Sequence, residues 1–130
     1  MTRENFSSGT EWEEIVGYSR AVRVGDVIEV AGTTAVDQNG EVVGVGDAAA
    51  QTRFILQKIG RALNETGASL SDVVRTRIFV TDISQWEAIG RVHGEFFRAV
   101  RPVATMVEVS GLVSAELLVE IEVTAYLSFP

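Results

Sequence analysis

The 130-residue chain has no cysteine, a single histidine (His93) and a single lysine (Lys58). Without cysteine there is no disulfide framework, no thiolate nucleophile and no cysteine-based zinc site. One histidine also disfavours a multi-histidine metal centre. No stretch approaches the ~20 consecutive apolar residues of a membrane span, and the opening MTRENFSSGTEWEE is polar and acidic rather than basic and then apolar. A cytoplasmic protein with no membrane contact is expected. GxGxxG, Walker, nucleophile-elbow and HExxH motifs are absent, so nucleotide binding, serine hydrolysis and zinc proteolysis lack support. The run Gly40-Glu-Val-Val-Gly-Val-Gly46 has no following lysine and does not make a phosphate loop.

The composition, 46% hydrophobic and 22% charged, is that of an ordinary globular protein. With no internal repeat, linker or low-complexity run, residues 1–130 read as one domain. Eighteen acidic against eleven basic residues give a net charge of -7. The arginines are scattered, so a nucleic-acid partner is not expected, because that affinity comes chiefly from clustered cations on phosphates.

After a loose start, Tyr18 to Val24 and Val27 to Ala31 read as a hairpin turning at Gly25-Asp26. A glycine-rich loop follows, with Asn39-Gly40 as a turn and Val42-Val43 as a candidate short strand. From Asp47, a helix N-cap, apolar residues recur at helical spacing through Phe54, Ile55, Ile59, Ala62 and Leu63 until Gly67. Val73 to Thr81 alternates as a strand. Ser84 with Glu87 reads as a capping box opening a second helix that Pro102 terminates. Ala104 to Val109 and Leu118 to Tyr126 are the last strands. The order predicts an α+β two-layer sandwich, a β-sheet with two helices on one face.

Strand alternation assigns Val74, Ile78 and Val80, with Val119, Ile121, Val123 and Ala125, to the helix-covered face. The other parity collects Arg75, Arg77, Glu120, Glu122 and Glu29 beside Phe79 and Tyr126, with Glu108 and Met106 as further candidates. Such a face is either a solvated sheet surface or an oligomer interface in which Arg/Glu pairs fix register. Glu120 is either a general base, desolvated once the face is closed, or a structural partner of Arg75 or Arg77. His93 is either a satisfied, partly buried histidine or a proton donor or ligand contact at a helix edge. Tyr18 is either packed or a ligand contact, and Trp12 and Trp86 read as packing or interface residues.

The strings YSRAVRVGDVIEVAG, QTRFILQKIGRALNETGASLSDVVRTRIFVTDISQWEAI, EFF, RPVATMVEV and LLVEIEVTA resemble the RidA/YjgF family, the reactive-intermediate deaminases, over Tyr18 to Tyr126. The resemblance implies a chorismate-mutase-like subunit with a mixed sheet, assembled as a homotrimer whose small-molecule clefts lie between subunits. It also implies cofactor-independent hydrolysis of enamines and imines to carbonyl compounds and ammonia. Carried over by motif, Glu120 would hold or activate water, with Tyr18, Gly32 and Arg75 lining the cleft. The family's arginine that clamps a substrate carboxylate has no counterpart here. In Pro102-Val103-Ala104-Thr105-Met106, Ala104 takes its place and Met106 stands where a small polar or thiol residue is common. Arg77 is the candidate substitute cation, and His93 lies on the helix that borders the cleft in that architecture. The resulting expectation is imine or enamine hydrolysis with an altered substrate. The alternative is a non-catalytic metabolite-binding or regulatory trimer using the same clefts.

Overall fold

Six strands and three α-helices alternate along the chain in the computed structural model, which describes residues 1–128; the last two residues of the expected 1–130 domain lie outside the described residues. The strands are β1 (Arg3–Phe6), β2 (Ala21–Val24), β3 (Val27–Thr33), β4 (Val73–Val80), β5 (Val103–Glu108) and β6 (Val119–Tyr126), and the helices are α1 (Glu11–Val16), α2 (Ala48–Thr66) and α3 (Trp86–Phe97). They form one mixed sheet of order β1-β2-β3-β6-β4-β5, antiparallel except for the β4–β5 pair. The units β3-α2-β4 and β4-α3-β5 are both crossovers between parallel strands, and both advance in the same direction across the sheet. Right-handed crossovers of that kind put both helices on one face. That produces the two-layer α+β arrangement and leaves the other face of the sheet uncovered within one chain.

Local signals fix the ends of α2. The Asp47 side chain accepts a hydrogen bond from the Ala50 N–H at 3.0 Å, and Gly67 adopts φ 93° to close the C-terminus. The helix buries Ile55, Leu56, Ile59 and Leu63 against Ile28, Val30, Ile121 and Val123 of the sheet. Gln51 is buried with it and fully engaged: its amide donates to the carbonyls of Gly44 and Glu116 and its oxygen accepts from the Leu118 N–H.

Several expectations need correction. The loose start is structured, because β1 pairs with β2 and the Glu13 carboxylate, accepting from the Ser8 N–H and hydroxyl, ties down α1. Val42-Val43 forms no strand and contributes a lone bridge, Val36 to Val42. The Ser84/Glu87 capping box does not form. Asp82 accepts from the Ser84 N–H and hydroxyl to start a single 3-10 turn, while Glu87 pairs with Arg91. Helix α3 stops at Phe97, well before Pro102, and Arg101 takes the left-handed φ of 55° there. Val74 is 46% exposed rather than part of the core. An extra residue in β4 between Val73 and Arg75 shifts the pairing with β6, so Val73 and Thr76 face the helices instead.

Candidate functional site

A second irregularity, in β3, positions the site. Val30 pairs with Val123 and Thr33 with Ile121, so three steps on β3 match two on β6 and Gly32 falls within the bulge. Glu120 is the second residue of β6, between the buried Val119 and Ile121, and its side chain leaves on the opposite face. It lies directly over Gly32. A β-carbon on residue 32 would overlap the Glu120 carboxylate, so the approach depends on glycine. The carboxyl group is half-buried, and burial pushes its pKa above the ordinary glutamate value. Arg20 pulls in the other direction, and Glu122 adds to the rise.

The cation near Glu120 is therefore Arg20, which the strand alternation did not single out. Its guanidinium donates to the Thr33 hydroxyl through Nη1 and to the Gly32 carbonyl through Nη2, both at 3.2 Å. The guanidinium carbon lies 6.0 Å from the centre of the Tyr18 ring, within cation–π reach. Tyr18, Arg20, Gly32 and Glu120 thus form one group around the β3 bulge. The sequence signals for it are the spacing of two residues between Tyr18 and Arg20, and a glycine at the end of β3.

Neither candidate partner of Glu120 on β4 stands beside it. Phe79 is the residue opposite Glu120; Arg77 is opposite Glu122 and ion-paired with it at 3.5 Å. Arg75, opposite Thr124, is four residues from Phe79, about 13 Å along the strand. Arg77 and Glu122 instead line an open depression of about 350 Å³ on the uncovered face with Ser19, Val22 and Glu29. Glu29 accepts from the Thr124 hydroxyl there.

The remaining candidates lie elsewhere. In the parallel β4–β5 register, Ala104 stands beside Thr76 and Met106 beside Ile78, which assigns both to the helix-covered face, and Met106 packs against the core. Thr105, beside Arg77, is on the uncovered face. Met106 and Glu108 are therefore corrected out of the charged face, and the Glu108 carboxylate accepts from the Ile83 N–H at 3.0 Å. His93 is also on the helix side, where its Nε2 is 2.9 Å from the buried Thr76 hydroxyl and its ring packs against Phe97 at 4.7 Å. Burial holds its pKa below the ordinary 6.5. Within one chain His93 is a satisfied, partly buried histidine and does not reach the Glu120 group. Trp12 and Trp86 are both exposed. Among the described residues no three His, Asp or Glu side chains converge as metal ligands, and no helix is long and apolar enough to cross a membrane.

A family model described as endoribonuclease L-PSP matches residues 9–127. The chain is 40% identical over 119 residues to the protein SCO2049 of Streptomyces coelicolor, covering 92% of this chain and 88% of that one. It is 40% identical over 109 residues to the 3-aminoacrylate deaminase RutC of Acinetobacter baylyi, covering 84% of this chain and 86% of RutC. Among solved structures, Rv2704 of Mycobacterium tuberculosis, described as a member of the YjgF/YER057c/UK114 family, superposes with a TM-score of 0.88 at 52% identity, over 97% of this chain and 100% of that one.

Proposed function

This chain belongs to the endoribonuclease L-PSP family, the YjgF/RidA group, and from that premise we propose that it hydrolyses a reactive enamine or imine to a carbonyl compound and ammonia, without a cofactor. The observation that carries the reading is the half-buried Glu120 carboxylate held over Gly32. A half-buried carboxylate of raised basicity on the face that no helix covers is suited to take a proton from water. In the proposed step, water oxygen adds to the imine carbon while one of its protons passes by way of the Glu120 carboxylate to the nitrogen. In the resulting carbinolamine the hydroxyl proton passes by the same route to the amine, and the C–N bond breaks to release ammonia and leave the carbonyl, with Glu120 again a carboxylate.

The working unit is a homotrimer in which the uncovered sheet face is closed by neighbouring copies. Support for this comes from the Arg77–Glu122 pair and the apolar Phe79 and Tyr126 on a face that no helix covers. Ala104, with no charge to offer a substrate carboxylate, supports an altered substrate. It also supports the second reading, a metabolite-binding or regulatory trimer that holds its ligand in the same cleft without turnover. The ribonuclease of the family's description is disfavoured by the net charge of -7.

The test is hydrolysis of imines generated in situ from a panel of amino acids, by the native protein beside Glu120→Ala and Ala104→Arg. The expected result is acceleration by the native protein that falls by about 10²- to 10⁴-fold in Glu120→Ala. Turnover unaffected by Glu120→Ala would remove the mechanism. Activity confined to Ala104→Arg would favour the binding reading.

A further inference from the structure

The six-residue helix α1 is built inside out. Its one buried residue is Glu13, whose carboxylate accepts from the Ser8 N–H and hydroxyl. Trp12, Ile15 and Val16, at the i, i+3, i+4 spacing of a single helix face, are instead 58%, 64% and 68% exposed. A helix this short does not persist in water on its own. It is held by the Glu13 carboxylate and, at its end, by the Gly17 and Tyr18 N–H groups, which both donate to the Glu13 carbonyl at 2.9 Å. The fold therefore fixes an apolar stripe away from its own core, and a contiguous exposed apolar surface of that kind marks an interaction site.

Charge decides what covers it. Beside the stripe α1 carries the exposed Glu11 and Glu14 and no basic residue. Such a helix is repelled by an anionic lipid surface, and two copies of it repel each other, which excludes a self-complementary two-fold contact. The complement is on the chain itself, at the C-terminal end of α3, where Arg98 and Arg101 are exposed and take part in none of the salt bridges among the described residues. The flank of α3 turned away from Glu95, which pairs with Arg53 of α2, is also bare. A β-carbon on Gly90 would meet nothing there, and one on Gly94 only the Arg98 guanidinium at 3.9 Å. Glycine inside a helix is unfavourable against alanine, and here it leaves the backbone open to close approach.

We infer that α1 docks on a second copy of this chain: Trp12, Ile15 and Val16 seat against the Gly90–Gly94 flank of the neighbour's α3, with Glu11 and Glu14 facing its arginines. The contact joins two different surfaces, so it is head-to-tail, the kind that closes into a ring. It rests on the homotrimer proposed above and adds a second contact to the closure of the sheet face. Because α1 ends two residues before Tyr18, the docked α3 stands at the rim of the group formed by Tyr18, Arg20 and Glu120.

The experiment is sedimentation of the full chain and of variants altered on these exposed surfaces, with melting curves to establish that each is folded. Ile15→Asp should weaken assembly about 10- to 100-fold. Reversal of the acids (Glu11→Lys with Glu14→Lys) or of the arginines (Arg98→Glu with Arg101→Glu) should each weaken it by about tenfold or more. A chain carrying both reversals should recover most of that loss, since complementarity returns only if α1 meets α3. Loss in neither reversal, or no recovery in the combined chain, would overturn the inference, and these variants decide it should Ile15→Asp fail to fold. Binding of the native protein to neutral phosphatidylcholine vesicles, abolished in Ile15→Asp, would assign the stripe to a lipid surface and also overturn it. A trimer unmoved by all of these changes removes this contact and leaves the homotrimer standing. A native protein that sediments as a monomer at every concentration removes both.

Discussion

Replacing Gly32 by alanine separates the site from the fold. Gly32 is not among the positive-φ glycines, so alanine meets no left-handed penalty there. Loss of glycine's freedom in the unfolded chain would by itself stabilise by about 0.4–1 kcal/mol. The new β-carbon, however, would overlap a Glu120 oxygen and lie 3.0 Å from its carboxyl carbon and 3.3 Å from its γ-carbon. Holding the carboxyl in place off its rotamer would cost about 0.5–1.5 kcal/mol. The two effects are of similar size and opposite sign, so the melting temperature should barely move. The side chain is flexible at its far end and should swing out of the cleft instead. Turnover then loses a positioned base, a fall of about 10²- to 10⁴-fold, as measured by initial rates on in situ imines. Its carboxyl resonance should titrate lower than in the native protein, because burial is what raises the native value. A Gly32→Ala protein whose rate stays within about threefold of native would refute the argument that Glu120 acts from its seat over residue 32.

Thr76→Val removes the partner of His93 Nε2 without changing shape and should cost about 1–3 kcal/mol in urea unfolding. Because the folded pKa of His93 lies below 6.5, the unfolded chain binds the proton first, so stability is lost as the pH falls below that value. The drop in urea midpoint between about pH 7.5 and 5.5 should therefore shrink in His93→Gln, and an unchanged drop would contradict a neutral ring in the folded state. Arg77→Glu sets two acids against each other on the uncovered face. In one chain it should cost only about 0.2–1 kcal/mol, since the pair with Glu122 is half-exposed, but it should shift sedimentation from trimer to monomer. A trimer that survives Arg77→Glu intact would argue against closure of that face.

The parts that were legible in the sequence are those governed by local rules. Asp47 and Gly67 bound α2 because a cap oxygen and a left-handed glycine act within one turn. Val119 to Ala125 alternate regularly, and their faces follow. The misassignments arise where the chain gains one residue against its neighbour. The extra residue in β4 turned Val74 outward, and the one in β3 brought Arg20 and Gly32 to Glu120. A bulge is a property of two strands paired at a distance, and a period-2 reading of either strand alone passes over it. Met106 and Glu108 were misplaced for a related reason, since their faces depend on the register of β5 against β4. His93 needed the partner Thr76, seventeen residues away, before its two readings could be separated.

The division of the sheet into two faces bears on how the site is completed. Glu120 is on β6 and points away from the helices, whereas Ala104 is on β5 with β4 between them, and it faces the helix side. The two strands are about 10 Å apart, and the sheet itself separates the side chains. A single chain therefore has no route by which one small ligand touches both. In the proposed trimer they meet only if the Glu120 group of one copy is opposed by the β5 edge of another, so the exchange of a cation for Ala104 changes the wall facing Glu120 rather than the wall carrying it. Arg20 is on the same wall as Glu120, fixed to the bulge by Gly32 and Thr33.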